Sequence, residues 1–250
     1  MLDGFLLVVS FVFLWILVYT KKNREIIENK LVRSKRLAFL GQLAGSVSHE
    51  IRNPLGVISN SIYFLNMNLK DADKKVKDHL NIMQIQINRS VQIIGDLLTF
   101  LKTTPISLNE CDLNKLVAGK LAELEVPSNI SVKKQFDSNL QTVNLAQQKI
   151  LEMCSNIISN AIHAMPQGGI LEVKTVLKDS FVELIFKDTG EGISKENLEN
   201  IYEPLFSTKV VGTGFGLAIT KKYVDEHKGR INVESEEGKG TTLTIELPIQ

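Results

Sequence analysis

Apolar residues recur every three or four positions between residues 37 and 69, which is typical of a long helix with one buried stripe. The members of this stripe are Leu40, Ala44, Val47, Ile51, Leu55, Ile58, Ile62, Leu65 and Leu69. A polar segment at 70–74 interrupts the pattern. A second stripe follows it, made of Val76, Leu80, Met83, Ile87, Val91, Ile94, Leu98 and Leu101.

The two stripes predict an antiparallel helical hairpin over residues 37–104. We expect the second helix to end before Pro105, because the residue ahead of a proline is disfavoured in a helix. One hairpin has too little facing surface to bury both stripes. Pairing with a second copy in a four-helix bundle is therefore expected, so the protein is predicted to be a homodimer.

The pattern changes after the hairpin. Short alternating segments predict strands over 130–136, 170–176, 181–187, 230–233 and 241–247. Helical spacing predicts helices over 147–164 and 217–227. Residues 105–250 are therefore expected to form one α+β sandwich domain.

The N-terminus is strongly apolar, since Ser10 is the one polar residue between Phe5 and Tyr19. A basic segment follows, with Lys21, Lys22, Arg24, Lys30, Arg33, Lys35 and Arg36. This order predicts a single-pass membrane anchor at 1–20 and a charged helical linker at 21–36. The rest of the chain would lie in the cytoplasm, at the inner or plasma membrane. A cleaved signal peptide is disfavoured by Asp3 and by the lack of small residues where the run ends.

Few residues precede the apolar run, and the linker is short. We therefore expect input to arrive within the membrane, from a partner membrane protein or from the bilayer itself.

Charge and cysteine content exclude some classes of function. The formal net charge is +1, which gives no bulk attraction to nucleic acid, so no nucleic-acid partner is expected. Cys111 and Cys154 are the two cysteines, and they lie far apart without metal-like spacing. We expect both to be packed thiols in a reducing compartment.

His49 has neighbours that suit chemistry. It lies off the apolar stripe of the first helix, so its ring is expected to face solvent. Glu50 follows it, Asn53 lies one turn further at i+4, and Pro54 removes a helical hydrogen bond just beyond. A zinc-protease helix would need a second histidine at position 53, so that class of site is excluded.

Four polar or glycine-rich elements follow in the second domain. Asn156 and Asn160 lie at i and i+4 on one predicted helix, and a glycine turn at 188–193 follows a strand. A second turn at 212–217 opens a helix, and a third at 238–241 precedes the last strand. These turns match neither the P-loop nor the dinucleotide fingerprint.

The segment Ser48-His49-Glu50-Ile51-Arg52-Asn53-Pro54-Leu55 closely resembles the phosphoacceptor box of sensor histidine kinases in two-component systems. The resemblance implies that His49 attacks the γ-phosphate of ATP, and that Glu50 holds the other ring nitrogen and accepts its proton. It also implies that Asn53 could align a water for hydrolysis of a phospho-aspartate. The partner would be the receiver domain of a response regulator.

In order and spacing, the four elements resemble the ATP-binding domain that histidine kinases share with gyrase, mismatch-repair and chaperone ATPases. The resemblance implies that Asp188 binds the adenine amino group and that Gly190 and Gly192 permit close backbone approach. Asn160, helped by Asn156, would hold Mg²⁺.

The same resemblance places the phosphates of ATP on the glycine loop, with Lys209 neutralising charge and His163 as a basic contact. The backbone amides that it assigns to the phosphates belong to Gly212, Thr213, Gly214, Phe215, Gly216 and Leu217. Ile193 and Thr241 belong to the same predicted nucleotide site.

Residues 201–209 look like the phenylalanine box of the family, with Tyr202 and Leu205 in place of phenylalanines. Val210 and Val211 alone separate this box from the glycine loop, so the lid over ATP would be short, which resembles the nitrogen-regulator class of these kinases. His79 and His227 lack such neighbours and are predicted to be structural or solvated, with a positive charge at His227 suiting the end of its helix.

The expected function is therefore autophosphorylation on His49 and phosphotransfer to a regulator aspartate, with phosphatase activity toward that regulator. A phosphatase-dominant or inactive member that binds ATP as a signalling scaffold is an alternative. A chaperone-like or gyrase-like ATPase is a more distant one, which the His49 box disfavours.

Overall fold

The computed structural model describes residues 50–102, 105–208 and 212–249. Residues 50–68 belong to helix α1, and helix α2 spans Lys74–Leu101, with Asp73 as its N-cap. The side chain of Gln84 donates a hydrogen bond to Ser59 Oγ at 2.9 Å, which joins the two helices side by side. The predicted helical hairpin is confirmed over these residues. The membrane anchor, the charged linker and residues 37–49 lie outside them.

The hairpin has a small core of its own. Ile62, Leu80 and Ile87 are buried against one another, and Leu55 and Val91 pack at the margin of this cluster. Other large apolar side chains of the two helices remain exposed in the single chain. They are Ile51, Val57, Ile58, Tyr63, Phe64, Leu65, Met67, Leu69, Val76, Ile82, Met83 and Ile85.

The second domain is built on a five-stranded sheet in the order β2-β4-β5-β7-β6. Its strands are β2 Ile130–Gln135, β4 Gly169–Leu177, β5 Phe181–Asp188, β6 Arg230–Glu236 and β7 Gly240–Pro248. Strand β2 pairs parallel with β4, and the other neighbours are antiparallel. Strands β1 Asn109–Cys111 and β3 Val143–Leu145 form a separate two-stranded ladder.

Helices cover one face of this sheet. They are α3 Leu113–Glu123, α4 Gln147–His163 and α6 Gly216–Glu226, and a short helix α5 spans Lys195–Leu198. The apolar side of α4 and the inward positions of β5 share one continuous core. Cys111 and Cys154 are buried free thiols near this core, as predicted. The domain is therefore the two-layer α+β sandwich that the sequence predicts.

Helix α2 joins the two domains. Ile93, Leu97 and Phe100 on its C-terminal half pack against the core of the second domain. The rings of Phe100 and Phe215 lie 6.0 Å apart between centroids, in a tilted arrangement. The hairpin helix is therefore held along the domain that carries the glycine turns.

Within the described ranges, none of the helices has both the length and the apolar content needed to cross a bilayer.

Candidate nucleotide site and phosphoacceptor helix

Asp188 ends strand β5 on the face that the helices cover. Side chains alternate along the strand, so Leu184, Phe186 and Asp188 all point to the same side. Its Oδ1 atom accepts hydrogen bonds from the backbone N–H of Gly190 at 2.9 Å and of Thr241 at 3.2 Å. The residue is 8% exposed and lines a cavity. Two backbone donors thus hold the carboxylate in one orientation, as a site that recognises an amino group requires.

Gly190 and Gly192 allow segments of backbone to approach each other closely beside Asp188. A Cβ at Gly190 would lie 2.5 Å from the carbonyl oxygen of Ala164, and one at Gly192 would lie 2.1 Å from that of Glu236. Gly192 also has φ +70°, which favours glycine. In the structure, the close approach at these positions is to protein backbone, which fixes the turn beside Asp188.

Helix α4 supplies the two predicted amides. Asn156 and Asn160 both line the cavity, as expected for i and i+4 on one face. The Asn156 side chain donates from Nδ2 to the carbonyl oxygen of Gly216 at 3.2 Å. This bond ties α4 to the start of α6 and turns the amide group toward the glycine loop.

The glycine loop leads into α6. Thr213 accepts a hydrogen bond from the backbone N–H of Phe215 at 3.4 Å, and Phe215 itself is buried in the domain core. Gly216 is the first residue of α6, and Leu217 also lines the cavity. The N-terminus of an eleven-residue helix therefore faces the cavity, where its backbone N–H groups favour anions.

One cavity of about 580 Å³ brings these elements together. This volume is within the range of small-molecule and cofactor pockets. The predicted site residues among those that line it are Asn156, Asn160, His163, Asp188, Gly192, Ile193, Gly212, Thr213, Gly214, Gly216, Leu217 and Thr241. Lys209 lies outside the described residues.

The neighbouring predicted positions have defined partners. The Ser235 hydroxyl accepts from the backbone N–H of Ile193 at 2.8 Å and bonds with the Thr241 hydroxyl at 2.9 Å. His163 is exposed, and its Nδ1 lies 2.7 Å from the carbonyl oxygen of Ser159. A carbonyl oxygen can only accept, so Nδ1 carries the proton in this contact. The Nε2 atom is then the one that could meet a ligand.

The hairpin also lines the cavity, a contact that the sequence pattern does not indicate. Asn88, Arg89, Gln92 and Asp96 follow one another at helical spacing on α2 and line the cavity. The Thr213 hydroxyl donates to Asp96 Oδ2 at 2.6 Å. Burial raises the pKa of the Asp96 carboxyl, and the Thr213 hydrogen bond partly opposes that shift. The one sequence signal for this contact is the polar stripe on α2, and the same stripe is expected on a helix face that is simply solvated.

The structure describes part of the phosphoacceptor segment. Glu50 and Asn53 are both exposed on α1, and the helix continues through Pro54. His49 lies outside the described residues. None of the described α1 residues lines the cavity.

The structure confirms one part of the prediction for His227 and contradicts the other. The side chain is 7% exposed, so the prediction of a structural residue is confirmed and that of a solvated, positively charged one is wrong. Its Nε2 accepts from the backbone N–H of Ala146 at 3.1 Å, and Nδ1 lies 2.7 Å from the carbonyl oxygen of Tyr223. Burial lowers the pKa of His227, because the charged imidazolium loses solvation.

No cluster of three or more histidine, cysteine, aspartate or glutamate side chains suited to a metal occurs in the part of the chain that the structure describes. A site for Mg²⁺ here would rest on amide oxygens, which are hard donors of the kind that this ion accepts alongside phosphate oxygens.

Two family models match the chain. The model described as "His Kinase A (phospho-acceptor) domain" matches residues 39–105. The model described as "Histidine kinase-, DNA gyrase B-, and HSP90-like ATPase" matches residues 146–250.

Known proteins resemble the chain over one or both of these parts. The sensor histidine kinase ZraS of Escherichia coli (strain K12) is 32% identical over 241 residues, which is 95% of this chain and 51% of that protein. The solved catalytic domain of the histidine kinase ThkA is 30% identical with a TM-score of 0.53, over 58% of this chain and 97% of that one. ThkA solved in complex with the response regulator protein TrrA is 28% identical with a TM-score of 0.64, over 86% of this chain and 64% of that one. The chain spans about half the length of the curated relatives that it matches.

Proposed function

We propose, because this chain belongs to the sensor histidine kinases, that it phosphorylates itself on His49 with ATP and passes the phosphoryl group to an aspartate of a response regulator. The observation that carries the proposal is the combination of two features in one chain. Residues 50–55 of the His49 box lie on α1 of the helical hairpin, and α2 of that hairpin lies against a nucleotide-sized cavity that contains Asp188 and the glycine loop.

The proposed chemistry at the histidine is a nucleophilic displacement. One nitrogen of the neutral His49 imidazole forms a bond to the γ-phosphorus, the bond to the β,γ-bridging oxygen breaks, and ADP leaves. Glu50 receives the proton from the other ring nitrogen as the imidazole becomes positively charged. The exposure of Glu50 on α1 supports this role, since the catalytic groups must be reachable by a separate domain.

ATP is proposed to fill the cavity with its base at Asp188 and its phosphates at the glycine loop. The fixed carboxylate of Asp188 would accept from the adenine amino group, and the N-terminus of α6 would donate to phosphate oxygens. Asn160 and Asn156 would hold Mg²⁺, with Lys209 and His163 near the phosphates. The ion would neutralise charge on the phosphates during transfer.

The proposed partner is the receiver domain of a response regulator. The solved complex of ThkA with TrrA supports this choice by analogy. We also propose a phosphatase activity, in which Asn53 aligns the water that attacks the phospho-aspartate. The exposure of Asn53 on α1 supports it, because that water must meet a docked partner.

A homodimer is proposed from the apolar surface that the hairpin leaves exposed. Large side chains such as Ile58, Leu65 and Met83 would be covered if a second hairpin completed a four-helix bundle. The membrane anchor at 1–20, a membrane sensor partner and the nitrogen-regulator-like class stay predictions from the sequence. ATP binding without kinase activity remains the competing function, either as a phosphatase-dominant member or as a scaffold.

The test is incubation of the chain with γ-labelled ATP. We expect acid-labile, alkali-stable label on the protein, and we expect His49→Gln to abolish it while ATP affinity stays nearly unchanged. His79→Gln is the matched control, since His79 is another exposed histidine of the hairpin. ATP binding without any label would favour the scaffold, and label that persists in His49→Gln would place the acceptor elsewhere.

A further inference from the structure

Arg89 stands out among the residues that line the cavity. It is the one arginine or lysine in that lining among the described residues, and it is half-buried. Its Nη2 donates a hydrogen bond to the carbonyl oxygen of Gly212 at 3.3 Å. The guanidinium therefore lies at the glycine loop, where the phosphates are proposed to bind, whereas Asp188 lies where the base is proposed to bind.

Helix α2 is held in place beside this loop by a second contact. Asp96, two turns after Arg89, accepts the hydrogen bond from Thr213 described above. Residues 89 and 96 lie on the same face of α2, so the two contacts fix that face along residues 212 and 213. The position of Arg89 is therefore fixed by both domains, through α2 of the hairpin and through residues 212 and 213 of the second domain.

The negative charge of the cavity favours a cation at this position. Asp96, Asp188 and Glu191 contribute carboxylates to the lining, and a nucleoside triphosphate adds several further negative charges. Arginine stays protonated in proteins, and its planar fork matches phosphate oxygens. The neutral carbonyl oxygen of Gly212 is a weaker acceptor than a phosphate oxygen, so a phosphate at the loop would compete for the same N–H groups.

We propose that Arg89, on the hairpin, binds the phosphates of the nucleotide held by the ATP domain of the same chain. This inference rests on the proposed function, in which the cavity takes ATP. Arg89 acts as a binding and positioning residue: it draws the triphosphate toward α2 and couples nucleotide binding to contact between the two domains. The nucleotide site is then completed by the helix that follows the phosphoacceptor helix.

The test is calorimetry on the full chain with ATP, ADP and adenosine, each in the presence of Mg²⁺. Arg89→Gln is expected to weaken ATP binding about tenfold, the size of one charge-assisted hydrogen bond. ADP should lose less, and adenosine should bind as it does to the unaltered chain, because the effect depends on phosphate. Arg89→Lys should restore part of the ATP affinity.

The matched control is Lys77→Gln, which removes a positive charge from an exposed position on α2 outside the cavity. It should leave all three affinities unchanged. Equal weakening of ATP and adenosine by Arg89→Gln would mean that Arg89 only shapes the cavity, and would overturn the inference. Unchanged ATP affinity in Arg89→Gln would also overturn it, while leaving the proposed kinase function intact. If the unaltered chain failed to bind ATP, the proposed function would fail first and this inference with it.

Discussion

The hydroxyl of Thr213 donates a hydrogen bond to the carboxylate of Asp96 at 2.6 Å, across 117 residues of sequence. The bond joins the glycine loop of the ATP domain to the second helix of the hairpin. Residues 50–55 of the phosphoacceptor box lie on α1, and none of the described α1 residues lines the cavity. The arrangement in the structure is thus one in which the nucleotide site faces α2.

This relationship gives the first prediction, which is that Asp96→Ala raises the rate of His49 labelling. Removing the acceptor frees the glycine loop from α2, so the ATP domain reaches α1 more often. A net hydrogen bond to a charged group is worth about 1.5 kcal/mol or more, so an increase of up to about tenfold is expected. The measurement is the initial rate of labelling at saturating ATP. Asp78→Ala, at an exposed position on α2, should match the unaltered chain. Slower labelling in Asp96→Ala would show that the contact supports transfer.

Asp188 is predicted to select the base. Asp188→Asn should weaken ATP binding, because the ionised carboxylate that accepts from the adenine amino group is lost. Inosine triphosphate lacks that amino group, so its binding should change far less and the preference for ATP should shrink by at least tenfold. The measurement is the ratio of the two affinities. Asp179→Asn, in the exposed turn between β4 and β5, is the control and should keep the ratio. An unchanged ratio in Asp188→Asn would assign base recognition to another group.

Much of this fold could be predicted from the sequence, for physical reasons that differ between elements. Strands such as β5 and helices such as α4 carry strong periodic patterns, because one side of each is buried. Helix α3 and strands β1 and β3 were missed. The two strands have three residues each, and α3 begins after its N-cap residue Asp112, whose side-chain acceptance from the Lys115 N–H was not recognised.

Some residues of the candidate site could likewise be predicted from the sequence, and others could not. Asp188, Asn160 and the glycine loop could be proposed from the sequence because the order and spacing of their motifs resemble those of a known ATP-binding domain. The contribution of α2 could not, since Arg89 and Asp96 meet residues more than 100 positions away in the chain. Their sequence pattern is that of an ordinary polar helix face. Only the packing of α2 against the second domain brings these side chains to the cavity.

Asn53 is predicted to separate two activities. Asn53→Ala should keep His49 labelling near the unaltered rate and slow the dephosphorylation of the phosphorylated regulator, because the amide that aligns water is lost. Two assays, initial labelling and regulator dephosphorylation, are compared. Asn60→Ala, at another exposed position on α1, should change neither rate. If both rates fell together in Asn53→Ala, the residue would be shaping the helix instead.

His227 predicts a pH dependence of stability. Its pKa is lowered in the folded protein, mainly by burial, while Lys149 lowers it further and the Tyr223 carbonyl and Glu226 oppose the shift. The folded state therefore favours the neutral ring. Its contribution is fully present above the unfolded pKa of about 6.5 and is lost as pH falls below that value toward the folded pKa, by at most about 1.4 kcal/mol per pH unit.

The measurement is the free energy of unfolding of the ATP domain in denaturant at pH 7.5 and pH 5.5. The difference between the two pH values should be smaller in His227→Gln than in the unaltered chain. His79→Gln should behave like the unaltered chain, because His79 lies on α2 of the hairpin, outside the domain whose unfolding is measured. An equal difference in all three proteins would show that His227 does not carry the effect.

Lys222 on α6 holds the end of α2. Its Nζ donates to the carbonyl oxygens of Thr99 and Phe100 at 3.0 Å each and of Lys102 at 2.6 Å. These are carbonyls that a helix cannot satisfy at its own C-terminus, and a positive charge there is favoured by the helix dipole. Partial burial lowers the pKa of Lys222, because the charged ammonium loses solvation.

The last prediction concerns Lys222→Met, which keeps an apolar stem and removes the three donors. The contact lies beside the junction between the domains, so it can persist when the ATP domain moves, unlike the contact between Asp96 and Thr213. Its loss should loosen the ATP domain without disturbing the cavity, whose lining does not include Lys222. Labelling of His49 should therefore slow several-fold at unchanged ATP affinity, the opposite sign to Asp96→Ala, and backbone amides near residue 100 should exchange hydrogen faster. Lys221→Met removes the neighbouring charge, which pairs with Asp225 on the same helix, and should have neither effect. Faster labelling in Lys222→Met would instead make Lys222 part of the contact that holds the nucleotide site against α2.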